Sequence, residues 1–175
     1  MGGVMMQPER VLVCDANVLI DFIEVDAEIL RLAAVHLGTV VVLTTTLEKV
    51  NPLSEKACRE LGLEVREPST EDLITVGATP IAGLAFDDRV MAHIVLRDGY
   101  TCVTNDVKAR NYLKSEGASP LWGLDLLLEL VRTRAVTMKR ARSVVKALVT
   151  ASPKHYSPNV VQLFEERLSA ISKSP

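Results

Sequence analysis

Four acidic residues stand where carboxylates often do chemistry: Asp15, Glu48, Asp88 and Asp106. Three of them follow short segments, apolar or rich in Val and Thr, that are typical of strands, and Asp88 opens a helix-like segment that leads into the last strand. Parallel sheets bind ligands beyond the carboxyl ends of their strands, so we expect the four carboxylates to meet there. Clustered carboxylates repel one another unless a cation lies between them, and such oxygen ligands suit Mg²⁺ or Mn²⁺. The pattern predicts a metal site.

Each acid taken singly also has a simpler interpretation. An aspartate after a strand often caps the next helix or forms a turn. An acid in the first turn of a helix is favoured by the helix dipole. Asp87 adjoins Asp88, so either residue could be the ligand at this position.

Apolar periodicity indicates the elements that must position these acids. Short apolar runs alternate with helical patterns, which is typical of an α/β fold with a mostly parallel sheet. The pattern predicts about five strands, at residues 11–14, 39–45, 63–67 and 100–103 and near Leu121 and Trp122. Helices are predicted on both faces of the sheet, at residues 17–24, 26–37, 47–61, 87–97 and 107–115, with a short helix and a loop over 68–80.

The C-terminal part differs from the rest in charge. Residues 1–130 contain 11 Lys and Arg against 20 Asp and Glu, whereas residues 131–175 contain 9 against 2. Three helices are predicted here, at 124–132, at 138–149 and from residue 157 onward. The middle helix carries a group of basic residues: Lys139, Arg140, Arg142 and Lys146. These side chains could follow an RNA backbone, or they could simply form a solvated face.

Composition limits the class of protein. Of the 175 residues, 48% are hydrophobic and 24% charged, which suits one compact domain with a helical appendage and excludes a disordered chain. No apolar run is long enough to cross a bilayer and the start lacks a secretory pattern, so we expect a cytoplasmic protein. Cys14, Cys58 and Cys102 have neither a disulfide nor a zinc spacing, and we expect small buried hydrophobic residues.

The acids and their surroundings resemble the PIN domain family, represented by VapC-type toxin ribonucleases. The family's first strand, catalytic Asp and following Asn are similar to VLVCDANVLID, which contains Asp15 and Asn17. Its second half, in which an Asp opens a helix and a strand leads into Thr-x-Asp, is similar to DRVMAHIVLRDGYTCVTND. The interval of 18 positions between Asp88 and Asp106 fits that pattern and favours Asp88 over its neighbour. Glu48 occupies the place of the family's second acid.

The resemblance implies a three-layer PIN-like nuclease domain over residues 10–122. A C-terminal helical extension, residues 123–172, would pack on the same domain. The implied activity is metal-dependent hydrolysis of RNA that leaves 5′-phosphate and 3′-hydroxyl ends. Family members dimerise and, as toxins, are inhibited by an antitoxin, so RNA, a second copy and an antitoxin protein are the expected partners.

The resemblance also assigns roles to the candidate residues. Mg²⁺ or Mn²⁺ would be held by Asp15, Asp88 and Asp106, and Glu48 would complete the ligand shell or take up a proton from water. Two further residues would orient the carboxylates: Asn17 and Thr104. Where many members have another acid, this chain has Val107, Lys108 and Arg110, which implies one firmly held ion.

Other classes of function require residues that this sequence lacks. Haloacid-dehalogenase-type phosphatases have a second Asp where this chain has Asn17. The sequence contains no Gly-rich phosphate loop or nucleophile elbow, and His36, His93 and His155 are too scattered for zinc. A PIN-fold protein that binds RNA or acts as a scaffold without nuclease activity is the alternative. The complete set of four acids favours the enzyme.

Overall fold

The computed structural model describes residues 9–50 and 53–172. Residues 1–8, 51–52 and 173–175 lie outside the described residues. The expectation that the start of the chain lacks a secretory pattern falls mostly on residues 1–8. Within the described ranges, the chain forms four strands and ten helices.

The sheet is parallel throughout its described strands, β1 (Val11–Cys14), β2 (Thr39–Leu43), β3 (Glu64–Arg66) and β4 (Thr101–Val103). Their order is β3-β2-β1-β4. Cys14 pairs in register with Val103, so the carboxyl ends of β1 and β4 lie side by side. The predicted α/β class with a parallel sheet is confirmed.

The prediction of about five strands is wrong, because the described sheet has four. Near the expected fifth strand, Leu121 forms an isolated bridge with Val103. Its N–H donates to Cys102 at 2.8 Å and its carbonyl accepts from Thr104 at 2.9 Å. The chain then turns into a helix at Gly123, which leaves no length for a strand.

Helices cover both faces of the sheet, as expected for a three-layer arrangement. Their bounds are α1 (Ala16–Asp26), α2 (Glu28–His36), α3 (Thr44–Leu47), α4 (Glu55–Glu60), α5 (Thr70–Ala78), α6 (Phe86–Asp98), α7 (Val107–Ser115), α8 (Gly123–Arg132), α9 (Met138–Ala151) and α10 (Pro158–Ser172). Strand side chains alternate between two buried clusters. Leu12 and Cys14 face α1, α2 and the C-terminal helices α8 to α10, whereas Val13 faces α5, α6 and α7.

The helix predicted over residues 47–61 is replaced by two short helices, α3 and α4. Thr44, which was expected in the strand, already belongs to α3. Ser54 starts α4 afresh, because its hydroxyl accepts a hydrogen bond of 3.1 Å from the N–H of Ala57. The sequence has a proline at position 52, and proline has no N–H to donate inside a helix.

Gly38 is required where α2 turns into β2. Its φ is +135°, and a Cβ there would lie 2.2 Å from the carbonyl oxygen of Arg10. That carbonyl accepts a hydrogen bond of 2.9 Å from the N–H of Thr39, which aligns the start of β2 with β1. Any side chain at this position would push the two strands apart.

Cys14, Cys58 and Cys102 are free and buried, as predicted. Burial, with a small addition from the charge of Asp15, raises the pKa of the Cys14 thiol to about 12. Among the described helices, none combines the length and the apolar character that crossing a membrane requires.

Candidate active site

Asp15 follows β1 directly and begins α1 as its N-cap residue. It is almost fully buried, with 4% of the residue exposed. Its Oδ1 accepts a hydrogen bond of 2.6 Å from the N–H of Ala16, and its Oδ2 accepts one of 2.7 Å from the hydroxyl of Thr104. Each carboxylate oxygen has a further lone pair, so Asp15 is held in place and can still accept.

Thr104 connects the ends of β4 and β1. Its buried hydroxyl donates to Asp15 and accepts a hydrogen bond of 3.0 Å from the N–H of Asp106. Asp106 is the N-cap of α7, and its Oδ1 accepts a hydrogen bond of 2.7 Å from the N–H of Ala109. The Thr104 hydroxyl therefore fixes the side chain of Asp15 relative to the backbone of Asp106. Both aspartates are also N-cap residues of helices.

Asp87 and Asp88 lie in the first turn of α6, where the structure distinguishes them. Asp87 is buried and forms an ion pair with Lys49, which lies in the turn after α3. Asp88 is half-buried and has no hydrogen-bond or ion-pair partner among the described side chains. Asp87 thus already has an ion-pair partner, and Asp88 has none among the described residues.

Burial raises the pKa of the Asp15 carboxyl above its usual range. The hydrogen bond from Thr104 opposes this rise, and the charges of Asp106 and Asp87 add to it. Like charges act on one another in this way when they lie close together. Acids from α6 and from the end of β4 therefore lie close enough for their charges to act on Asp15.

Asp88 belongs to the same electrostatic group. Burial, together with the charges of Asp15, Asp87 and Asp106, raises the pKa of Asp88 to about 6, although the charge of Lys49 lowers it. These four aspartates, Asp15, Asp87, Asp88 and Asp106, are named the aspartate cluster here. Its excess of negative charge favours the binding of a cation.

Lys49 supplies one positive charge inside this group. A hydrogen bond to Asp87, followed by the charges of Asp87, Asp88 and Asp15, raises the pKa of the Lys49 ammonium group, although partial burial opposes the rise. The side chain is 51% exposed, so the ammonium group can move without unfolding its surroundings. Sequence reasoning missed Lys49, although its position directly after a candidate acid was a signal.

Glu48 and Asn17, the other predicted site residues, have no described interaction with the cluster. Glu48 is exposed at the end of α3, and Asn17 is half-buried in the first turn of α1. Neither side chain forms a hydrogen bond or an ion pair with the described residues. Hydrogen bonds of Thr104 join Asp15 to Asp106. Asp88 interacts with both through its charge alone, and Glu48 has no described interaction with the three.

The donor set suits a hard divalent cation, since carboxylate oxygens are what Mg²⁺ and Mn²⁺ prefer. Among the described residues, however, no three side chains of Asp, Glu, His or Cys lie in positions that could hold a metal ion together. The one cation seen against these acids is the ammonium group of Lys49, which pairs with Asp87 in the described structure.

No family model matches this chain, and comparison with curated proteins and with solved structures finds no match.

The basic residues predicted to contact RNA divide into two pairs. Arg140 binds Asp26 through Nε and Nη2, at 2.9 to 3.1 Å, and Arg142 pairs with Glu165 at 3.1 Å. Lys139 and Lys146 are exposed and have no acidic partner among the described residues. The row on α9 is thus reduced to two unpaired lysines.

Asp21 of α1, which sequence reasoning missed, is a buried carboxylate with 3% of the residue exposed. Its Oδ2 accepts hydrogen bonds from the Tyr156 hydroxyl at 2.5 Å and from the Asn105 amide at 3.2 Å. Its Oδ1 accepts one from Ser152 at 3.1 Å. An acid in the apolar segment VLIDFI was the available signal, because a buried charge needs partners.

Proposed function

We propose that this chain is a metal-dependent endoribonuclease that hydrolyses RNA phosphodiester bonds at the aspartate cluster. The observation that carries the proposal is the hydroxyl bridge of Thr104, which joins Asp15 to the backbone of Asp106 at adjoining strand ends. Parallel α/β sheets bind their ligands beyond such ends. The PIN-like order of the residues in the sequence supports the same function.

Mg²⁺ or Mn²⁺ would be held by Asp15, Asp88 and Asp106. These side chains would have to move closer together to do so, since no three acids of the described residues lie in positions able to hold an ion. A bound ion would supply an activated water and stabilise the charge that develops at the phosphate. Asp88 suits the role of ligand because it has no partner of its own among the described residues. Asp15 suits it because the Thr104 hydroxyl holds its carboxylate in one orientation.

Lys49 would contact the RNA phosphate next to the reacting bond. Its ammonium group already lies beside the cluster, and its half-exposed side chain can turn toward a ligand. We assign Glu48 no part in holding the ion, because no described interaction joins it to the cluster.

Cleavage of total cellular RNA with Mn²⁺, with Mg²⁺ or with EDTA tests the proposal. Wild-type protein is compared with Asp15→Asn and with Asp98→Asn. Asp98 is a matched control, since it also lies on α6 but about 15 Å along the axis from Asp88, paired with Arg97. We expect metal-dependent cleavage by the wild type and by Asp98→Asn, and none by Asp15→Asn.

The ends of the products give a second test. Hydrolysis of the kind proposed leaves 5′-phosphate ends, which a 5′-phosphate-dependent exonuclease degrades. Folded wild-type protein that cleaves with no metal would contradict the proposal. Folded protein that binds RNA without cutting it would move the assignment to a binding or scaffolding role.

A further inference from the structure

Asn105 lies between the two site residues Thr104 and Asp106, and its side chain points away from them into a buried hydrogen-bond network. Its Nδ2 donates to Asp21 and to the hydroxyl oxygen of Tyr156, each at 3.2 Å. Its Oδ1 accepts a hydrogen bond of 3.0 Å from the N–H of Gly123, the first residue of α8. The amide is therefore held at both ends.

Tyr156 comes from a distant part of the chain, the segment of residues 152–157 between α9 and α10, named the C-terminal connection here. It is buried, with 3% of the residue exposed, and its ring belongs to the same apolar cluster as Cys14 of β1. Its hydroxyl donates to Asp21 at 2.5 Å while accepting from Asn105. Burial, followed by the hydrogen bond to Asp21, raises the pKa of the Tyr156 phenol, so it stays a donor at physiological pH.

We infer that Asn105 is a positioning residue for the aspartate cluster, held in place by Tyr156 of the C-terminal connection. The inference rests on the proposed function for its catalytic consequence. Because Asn105 is fixed, the backbone on either side of it is fixed, and with it the Thr104 hydroxyl and Asp106. The C-terminal connection would thereby help to set the geometry of Asp15 and Asp106.

Gly123, the first residue of α8, lies close to the Asn105 amide. A Cβ at that position would lie 3.4 Å from both Nδ2 and Oδ1 of Asn105, an ordinary contact that leaves little spare room. The start of α8 therefore contacts the Asn105 amide, which is also hydrogen-bonded to Asp21 and Tyr156. A half-buried side chain held by three hydrogen-bond partners passes a shift of those partners to its own backbone.

Tyr156→Phe tests the inference, because it removes the hydroxyl and keeps the ring. Ser152→Ala is the matched control, since it also removes a hydroxyl donor from Asp21 but one that does not contact Asn105. We expect amide hydrogen exchange at Asp106 to become about tenfold faster in Tyr156→Phe and to stay unchanged in Ser152→Ala. This readout needs neither metal nor activity.

Metal binding and kinetics give the functional readouts. We expect Tyr156→Phe to weaken Mn²⁺ binding about tenfold and to lower kcat by a similar factor with KM unchanged. Changes of this size are typical when a residue that orients the metal ligands is lost. Asn105→Ala, which leaves the bond between Tyr156 and Asp21 intact, should reproduce these changes even if Tyr156→Phe folds poorly.

The possible outcomes separate this inference from the proposed function. Faster exchange in Tyr156→Phe and Asn105→Ala, in a protein whose wild type binds no Mn²⁺ and cuts no RNA, would support the positioning of the segment and overturn the nuclease. Cleavage by the wild type with equal exchange and equal kcat in Asn105→Ala would overturn the positioning role alone.

Discussion

The hydroxyl of Thr104 donates a hydrogen bond of 2.7 Å to Oδ2 of Asp15, across the adjoining ends of β4 and β1. Both residues are buried, so the bond is shielded from water. It lowers the pKa of Asp15 against the effect of burial and of the neighbouring acids. The buried Asp15 carboxylate is thus oriented by two neutral donors, the Thr104 hydroxyl and the Ala16 N–H.

Thr104→Val should show how far metal binding depends on the orientation of Asp15, because it leaves the charge of the site unchanged. Valine has nearly the same shape but no hydroxyl, so Asp15 loses a buried donor and the Asp106 N–H loses its acceptor. We expect a loss of roughly 1–3 kcal/mol in the free energy of unfolding and a loss of about 10- to 100-fold in Mn²⁺ affinity. Urea unfolding and calorimetric titration with Mn²⁺ measure the two effects.

Thr45→Val is the matched control for that substitution. The hydroxyl of Thr45 is buried and has no hydrogen-bond partner in the described structure. Its removal should leave the free energy of unfolding unchanged or raise it by up to about 1 kcal/mol, with no effect on Mn²⁺ binding. Equal losses in both variants would refute the role given to the bond between Thr104 and Asp15.

Lys49→Met should alter metal and RNA binding in opposite directions. Removal of the ammonium group takes away a cation that competes for the same carboxylates, so Mn²⁺ should bind roughly three- to tenfold more tightly. The phosphate contact is lost at the same time, so RNA should bind more weakly. Lys49→Arg, which keeps the charge, should change neither affinity by more than about twofold. Weaker Mn²⁺ binding in Lys49→Met would exclude the competition.

The sequence allows prediction of those parts of the fold that local pattern determines. The Asp that follows β1 and the segment before Asp106 could be located because short apolar runs end there. Leu121 could not be classified in the same way, because a short apolar segment before a helix has the same pattern whether it forms a strand or a single bridge. The interruption after Glu48 was missed, although Ser54 is a typical N-cap residue.

Long-range polar partners of the site could not be predicted. Tyr156 lies 135 positions from Asp21, and Lys49 lies 38 positions from Asp87. Such contacts depend on how helices pack on the sheet, which periodicity does not specify. For the same reason, the sequence could not show that Arg140 is paired with Asp26 rather than free to meet RNA.

Lys139→Gln with Lys146→Gln should reduce RNA binding in proportion to the charges removed. If each lysine meets a phosphate, the slope of log K against log salt should fall by about 0.7 per lysine for single-stranded RNA. Arg140→Gln should instead lower the free energy of unfolding by up to about 1 kcal/mol, because it breaks a half-exposed pair with Asp26. Filter binding over a salt series and thermal unfolding distinguish the two. A slope unchanged in the double variant would make α9 a solvated face.

Asp88→Asn should change how stability depends on pH in the metal-free protein. The pKa of Asp88 is raised to about 6 in the folded chain, chiefly by burial and by the charge of Asp15, against about 3.9 in an unfolded chain. The folded state therefore binds more protons between these values, and the free energy of unfolding falls as pH rises through about 4 to 6. Asp88→Asn should lose this part of the fall and be the more stable protein at pH 7 in EDTA.

Asp98→Asn is the control for this measurement, because the stability that Asp98 contributes changes with pH in the opposite direction. The hydrogen bond from Arg97 lowers the pKa of Asp98, so its contribution to stability is present above about pH 4 and is lost as pH falls below it. Urea unfolding at each pH from 3 to 8, with EDTA throughout, measures the three proteins side by side. Added Mn²⁺ at pH 7 should then raise the melting temperature of wild type and Asp98→Asn more than that of Asp88→Asn. Identical pH profiles for wild type and Asp88→Asn would show that Asp88 does not share the charge of the aspartate cluster, and its role as a ligand would be withdrawn.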